Sequence, residues 1–201
     1  NFFLGSNGSG KTSLLDAFYF LSSARSFTTN SRHSFIMEGK EECIVRGEIK
    51  RDLQVFPVGV SRTRSGILEI RKSGEKMRRS SELALSLPTI ILSPESINLL
   101  IGSPAKRRSF MNWGTFHVEP LFKEVWERAN RCLKQRNFAL QLKIRDRDEL
   151  ASWTDGLIKS SMKIDDYRTR YIRNLNPFFS EILERISGLS DVELHYSRGW
   201  D

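Results

Sequence analysis

The stretch Gly5-Ser6-Asn7-Gly8-Ser9-Gly10-Lys11-Thr12-Ser13 constrains this chain more than any other. It fills every fixed position of the pattern Gly-x-x-x-x-Gly-Lys-Thr, the signature of a phosphate-binding loop. Glycines let the backbone turn successive amide N–H groups toward one point, where a phosphate can accept several hydrogen bonds at once. A helix should begin within the loop, so that its positive end adds to the same point. The flanks agree with that demand. Phe2-Phe3-Leu4 is a short apolar run, and Leu14, Leu15, Phe18 and Leu21 recur at helical spacing. We therefore expect a buried strand over residues 2 to 4 and an amphipathic helix from 11 to about 23. The residues expected to hold a nucleotide are Gly5, Ser6, Asn7, Gly8, Ser9, Gly10, Lys11, Thr12 and Ser13. Lys11 would reach the β- and γ-phosphates, and the Thr12 hydroxyl would ligate Mg²⁺.

Beyond the first helix the period changes. Residues 43 to 49, 53 to 60 and 67 to 70 form short β-like runs, with a stub near Met77; Ser65-Gly66 and Ser73-Gly74 supply turns. An antiparallel meander follows from that order. Residues 87 to 92 are another apolar run closed by Ser93-Pro94, expected as a buried strand with a stop. Ser103-Pro104 opens a helix that Gly114 is placed to close. From Pro120 an apolar stripe runs through Phe122, Val125, Trp126, Ala129, Cys132, Leu133 and Leu140. After a charged break at 145 to 148, a second stripe runs through Leu150, Trp153, Leu157, Ile164, Tyr171 and Leu175, with Pro177 kinking or interrupting it before Gly188. Two long helices with a short polar link read as an antiparallel hairpin. Residues 192 to 196 alternate and are expected to form a strand.

Charge and composition bound the partners. Lys and Arg outnumber Asp and Glu by 32 to 24, a net charge of +8, which favours polyanions such as nucleic acid or nucleotides. No run of about eighteen apolar residues occurs and no signal-peptide order opens the chain, so no membrane partner is expected. Two distant cysteines and three histidines without metal-ligand spacing argue for an intracellular, reducing setting and against a metal centre built from them. Lys106, Arg107 and Arg108 fall near the positive end of a helix, an unfavourable place for cations, so each needs a partner. That partner is DNA phosphate or an acceptor within the protein. Lys134, Arg136 and Lys143 are placed to follow a duplex backbone, against a default of a solvated face. Trp126, Trp153, Tyr167, Tyr171, Phe178 and Phe179 fall on the apolar stripes and are expected to pack rather than stack on bases.

Several further stretches carry a resemblance. They are Arg25-Ser26-Phe27, Leu92-Ser93-Pro94-Glu95, Gly102-Ser103-Pro104 with Arg107-Arg108-x-Phe110, Trp113-Gly114-x-Phe116-His117, Glu119-Pro120, Leu133-Lys134-Gln135-Arg136-Asn137 and Arg198-Gly199-Trp200. In this order, from residue 1 to the end, the chain resembles the RecF family of bacterial recombination and repair ATPases. That family is related to the ATP-binding-cassette (ABC) heads of the structural-maintenance-of-chromosomes and Rad50 proteins. The resemblance implies an α/β fold: a P-loop (ABC-type) ATPase head fragment with an antiparallel β-subdomain plus an α-helical hairpin arm. It divides the chain into head lobe 1–116, helical arm 117–190 and a returning strand at 191–201. ATP and Mg²⁺ become the expected cofactors. DNA at junctions of single and double strands, RecR, RecO and an ATP-dependent homodimer become the expected partners, in the cytoplasm. The signature motif and acidic strand of the family are not found, so an internal fragment unable to hydrolyse ATP alone is expected. Two departures stand out. Thr28 follows Arg-Ser-Phe where the family usually has arginine, and Asn112 stands where it usually has aspartate, removing a potential ion-pair partner for Arg107 or Arg108. The readings left beside this one are a P-loop kinase of a small metabolite and a DNA-binding module without enzymatic activity.

Overall fold

In the computed structural model the described residues are 1–29, 31, 34–142 and 147–199. They gather into two compact units, Asn1–Ser93 and Pro94–Asp201. The expected boundary after Phe116 falls inside a helix of the second unit.

The first unit is built on helix α1 (Lys11–Ser23) and a four-stranded antiparallel meander of β1 (Glu42–Arg51), β2 (Gln54–Thr63), β3 (Leu68–Lys72) and β4 (Glu75–Lys76), in the order β1-β2-β3-β4. Register follows the alternation of the sequence: Val45 lies opposite Val60, and Val60 opposite Ile70. These side chains share one face of the sheet. Helix α1 and the short helix α2 (Ser80–Ser86) cover that face, and Phe20, Leu21, Ala24, Val58, Val60, Ile70 and Leu83 form the buried cluster. Apolar burial on α1 is confined to its last turns. Leu14, Leu15 and Phe18, nearer its start, remain exposed.

Two expected strands do not form in this unit. Phe2-Phe3-Leu4 carries no strand among the described residues, and Phe2 and Leu4 are 95% and 92% exposed. Residues 87–92 follow α2 without regular structure, and Leu92 is 90% exposed. Both expectations counted apolar residues, whereas a strand exists only when a neighbour takes its backbone hydrogen bonds. Among the described residues the meander pairs only with itself.

The second unit is helical. A 3-10 turn (Pro94–Ile97) leads into α3 (Asn98–Ile101), then α4 (Pro104–Val118), α5 (Phe122–Gln141) and α6 (Arg147–Ser187). Pairs such as Phe122 with Tyr167 and Arg136 with Thr154 show that α5 and α6 run antiparallel. Phe122, Ala129 and Ile164 are its buried centre, with Trp126, Leu157 and Tyr167 packed around them. Phe178 is the exception among the expected packing aromatics and is exposed.

Three sequence expectations are corrected here. Gly114 does not close α4, which continues to Val118; it lies where α4 meets α6, and a Cβ at that position would collide with the Tyr171 ring. Pro177 does not interrupt α6, which is continuous over 41 residues. Residues 192–196 are not a strand. Instead α6 side chains take the hydrogen bonds a strand would have given. Asn176 donates through Nδ2 to the Leu194 carbonyl at 3.0 Å and accepts the Leu194 N–H at 2.7 Å. The Ser180 hydroxyl donates to the Val192 carbonyl at 3.3 Å. Among the described residues no helix is long and apolar enough to cross a membrane.

Candidate functional site

The glycine loop has the geometry an anion needs. Gly8 and Gly10 adopt left-handed φ values of 81° and 88°, which an L side chain rarely accepts. Ser9 N–H donates to the Ser6 carbonyl at 3.2 Å, closing the turn, and α1 starts at Lys11. This helix has no side-chain cap and no acidic residue in its first turn. Its first amides and positive end are therefore uncompensated from within, a fitting end for a negatively charged ligand. The Lys11 ammonium donates to the carbonyls of Gly5 (2.8 Å) and Ser6 (2.7 Å), which hold it across the loop. Phosphate oxygens can replace these carbonyls as acceptors. The donor set therefore fits a nucleoside triphosphate, and the Thr12 hydroxyl on the first turn is of the type that ligates Mg²⁺.

Thr12 and Ser13 also line a cavity of about 900 Å³ whose other walls include Asp16, Ser26, Thr28 and Thr29. Asp16 is one helical turn below Thr12 and is 9% exposed. Its Oδ1 accepts the Phe27 N–H at 2.8 Å, and its Oδ2 accepts the hydroxyls of Ser26 at 2.6 Å and Thr28 at 3.0 Å. Sequence reasoning singled out Arg25-Ser26-Phe27 and Thr28 but missed their partner. The available signal was spacing: positions 12 and 16 face the same way on a helix. Burial raises the thiol pKa of Cys43, another cavity residue, and the Asp16 carboxylate adds to that rise.

The five described basic residues among those singled out for DNA, Lys106, Arg107, Arg108, Lys134 and Arg136, do not gather at one place. Lys106, Arg107 and Arg108 are exposed on the first turns of α4. Arg107 donates through Nη1 to the carbonyls of Leu100 (3.1 Å) and Gly102 (2.9 Å), closing the end of α3. Arg107 and Arg108 border an apolar groove of about 800 Å³ with Phe178 and Phe179 of α6. Lys134 is exposed on α5, and Arg136 donates through Nε to the Thr154 hydroxyl at 3.1 Å. At the helical rise of about 1.5 Å per residue, Thr154 and Phe179 are separated by about 38 Å along α6. Lys143 lies outside the described residues. Asn112 has a partner that the sequence did not point to: its Oδ1 accepts from Arg168 Nε (3.0 Å) and Nη2 (2.7 Å). Beside it, the buried Asp165 accepts the Tyr196 hydroxyl at 2.9 Å and pairs with Arg198 at 3.4 Å. No group of three metal-binding side chains occurs among the described residues.

Fold and loop together define a P-loop domain of the AAA class. A family model described as "AAA domain, putative AbiEii toxin, Type IV TA system" matches residues 1–104. The DNA replication and repair protein RecF of Pseudomonas putida strain F1 is 41% identical over 202 residues, covering 100% of this chain and 55% of that protein. RecF of Azotobacter vinelandii strain DJ has the same identity and coverage. Two solved structures of the recombination mediator protein RecF in the RecFOR pathway, RecF-ATPrS and RecF-ATP, each align with a TM-score of 0.80. They are 25% and 26% identical and cover 92% and 90% of this chain, against 51% and 50% of their own. The chain belongs to this AAA-domain family, and along its whole length it is similar to part of RecF. It spans about half the length of the curated relatives it matches.

Proposed function

We propose that the chain binds Mg-ATP at Gly5–Ser13 and serves an ATP-dependent DNA-binding protein of recombinational repair. The observation that carries this reading is the loop itself: left-handed Gly8 and Gly10, an uncapped helix start, and the Lys11 ammonium held at the loop on two carbonyls. The RecF-ATP relative supports ATP as the nucleotide. When bound, Mg²⁺ would supply charge neutralisation between the β- and γ-phosphates, with Thr12 holding it. The backbone amides of the loop orient the phosphates, and Lys11 exchanges its carbonyl partners for phosphate oxygens.

The same reading takes the first unit as part of an ATPase head and the paired helices as its arm. The whole protein would recognise junctions of single- and double-stranded DNA, dimerise on ATP, and act with RecR and RecO to load the recombinase in the cytoplasm. Hydrolysis needs a carboxylate that activates water or holds the metal. Glu95, in the 3-10 turn after residues 87–92, is not offered by a strand end, so we assign it no catalytic role.

Calorimetry decides the central point. Wild-type protein should bind Mg-ATP and Lys11→Ala should lose at least tenfold in affinity, the scale of one charge-assisted hydrogen-bond pair. Equal affinities in the two proteins would remove the nucleotide site. A metabolite-kinase reading would instead require phosphoryl transfer to a small acceptor and no salt-sensitive DNA binding.

A further inference from the structure

A carboxylate on the phosphate-loop helix is used for something other than phosphate. Asp16 follows Thr12 by four residues, so both side chains leave α1 on the same face. Burying an ionised carboxylate is costly unless donors compensate it. Here the compensation comes from one short segment, through the Phe27 N–H and the hydroxyls of Ser26 and Thr28. Ser26 extends the arrangement: its hydroxyl oxygen accepts the N–H groups of Thr28 (3.1 Å) and Thr29 (3.2 Å). One side chain of α1 thus holds residues 26–29 in place. Three of them, Ser26, Thr28 and Thr29, line the cavity of about 900 Å³ together with Thr12 and Ser13.

We propose that Asp16 is a positioning residue for the nucleotide. It touches no phosphate. It fixes Ser26–Thr29 as a wall opposite the end of the phosphate loop, so that the nucleoside end of a ligand gripped by the loop meets a preset, hydroxyl-rich surface. Preorganisation of this kind raises affinity because the wall need not be ordered on binding. Thr28 belongs to the device through its hydroxyl, which gives this chain a neutral contact to Asp16 at a position where a cation would place its charge beside the carboxylate. The proposal rests on the reading of Gly5–Ser13 as a nucleotide site.

The test compares Mg-ATP with Mg-tripolyphosphate, which has the phosphates but no nucleoside, by calorimetry on the full-length protein. Asp16→Ala should weaken ATP about tenfold, the usual scale for losing hydrogen bonds to a charged group. Tripolyphosphate affinity should stay within about twofold of wild type. Asp16→Asn keeps an acceptor for the Phe27 N–H and should recover most of the loss. Thr28→Val and Ser26→Ala, milder changes, should each weaken ATP selectively and carry the comparison if Asp16→Ala does not fold. Equal weakening of both ligands would overturn the proposal, because Asp16 would then act through the loop. An unchanged ATP affinity with a lowered melting temperature would also overturn it, leaving Asp16 a structural anchor only. Failure of wild type to bind either ligand would instead sink the nucleotide-site reading on which this one rests.

Discussion

At the residue scale, two single atoms set expectations that stability measurements can check. Asn112 Oδ1 accepts both Arg168 bonds, so an aspartate there would keep the geometry and add a charge. Asn112→Asp should raise stability by about 1 kcal/mol, seen as a higher urea midpoint with an unchanged slope, since charge-assisted bonds are about twice as strong as neutral ones. His117 packs against the rings of Trp113 and Phe116, and its Nε2 has no hydrogen-bond partner. Burial pushes its pKa below the usual imidazole range. The unfolded chain therefore takes up this proton at about pH 6.5, while the folded chain does so only at lower pH. Stability should be complete above that value and fall as pH drops through the window beneath it. Urea unfolding at neutral and mildly acidic pH, repeated on His117→Gln, should show a smaller pH slope in the variant; equal slopes would acquit His117.

At the element scale, α4 and α6 meet at Gly114 and Tyr171, where there is no room for a methyl group. Gly114→Ala should cost about 2 kcal/mol, as overpacked contacts do, and Tyr171→Ala should restore part of the loss in the double variant. Thermal unfolding of the three variants tests this coupling. The four longer helices α1, α4, α5 and α6, the meander and its turns were legible in the sequence because each rests on a local pattern, such as a period of 3.6 for Phe122 to Leu140 and of two for Val45 to Ile49, whereas the short α2 and α3 span too few turns to show one. The phosphate loop was legible because its glycines need particular backbone angles. What was not legible depended on partners distant in sequence. Phe2-Phe3-Leu4 and residues 87–92 have strand composition but no strand beside them. Residues 192–196 alternate like a strand, yet their bonds go to Asn176 and Ser180 on a helix. Gly114 reads equally well as a stop or as a close contact until Tyr171 is known to face it. Asp16 reads as an ordinary helix carboxylate until residues 26–28 fold back onto it.

For the whole molecule, a net charge of +8 makes salt the most direct probe of its partners. If the basic residues of α4 and α5 meet DNA phosphates, affinity should fall steeply with added salt, and the slope of log affinity against log salt should lessen by about one for each contact removed. Lys134→Ala and Lys106→Ala, measured by fluorescence anisotropy at several salt concentrations, test the two ends of α6 separately. An unchanged slope removes that residue from the interface. Arg107 should answer differently from either lysine, because its guanidinium already serves the carbonyls of Leu100 and Gly102. A phosphate that captures it must trade places with the protein's own oxygens, so DNA arrival and loosening of the turn at Gly102 become a single exchange. Faster deuterium uptake at that turn would then signal a bound duplex while nothing on the duplex itself is observed.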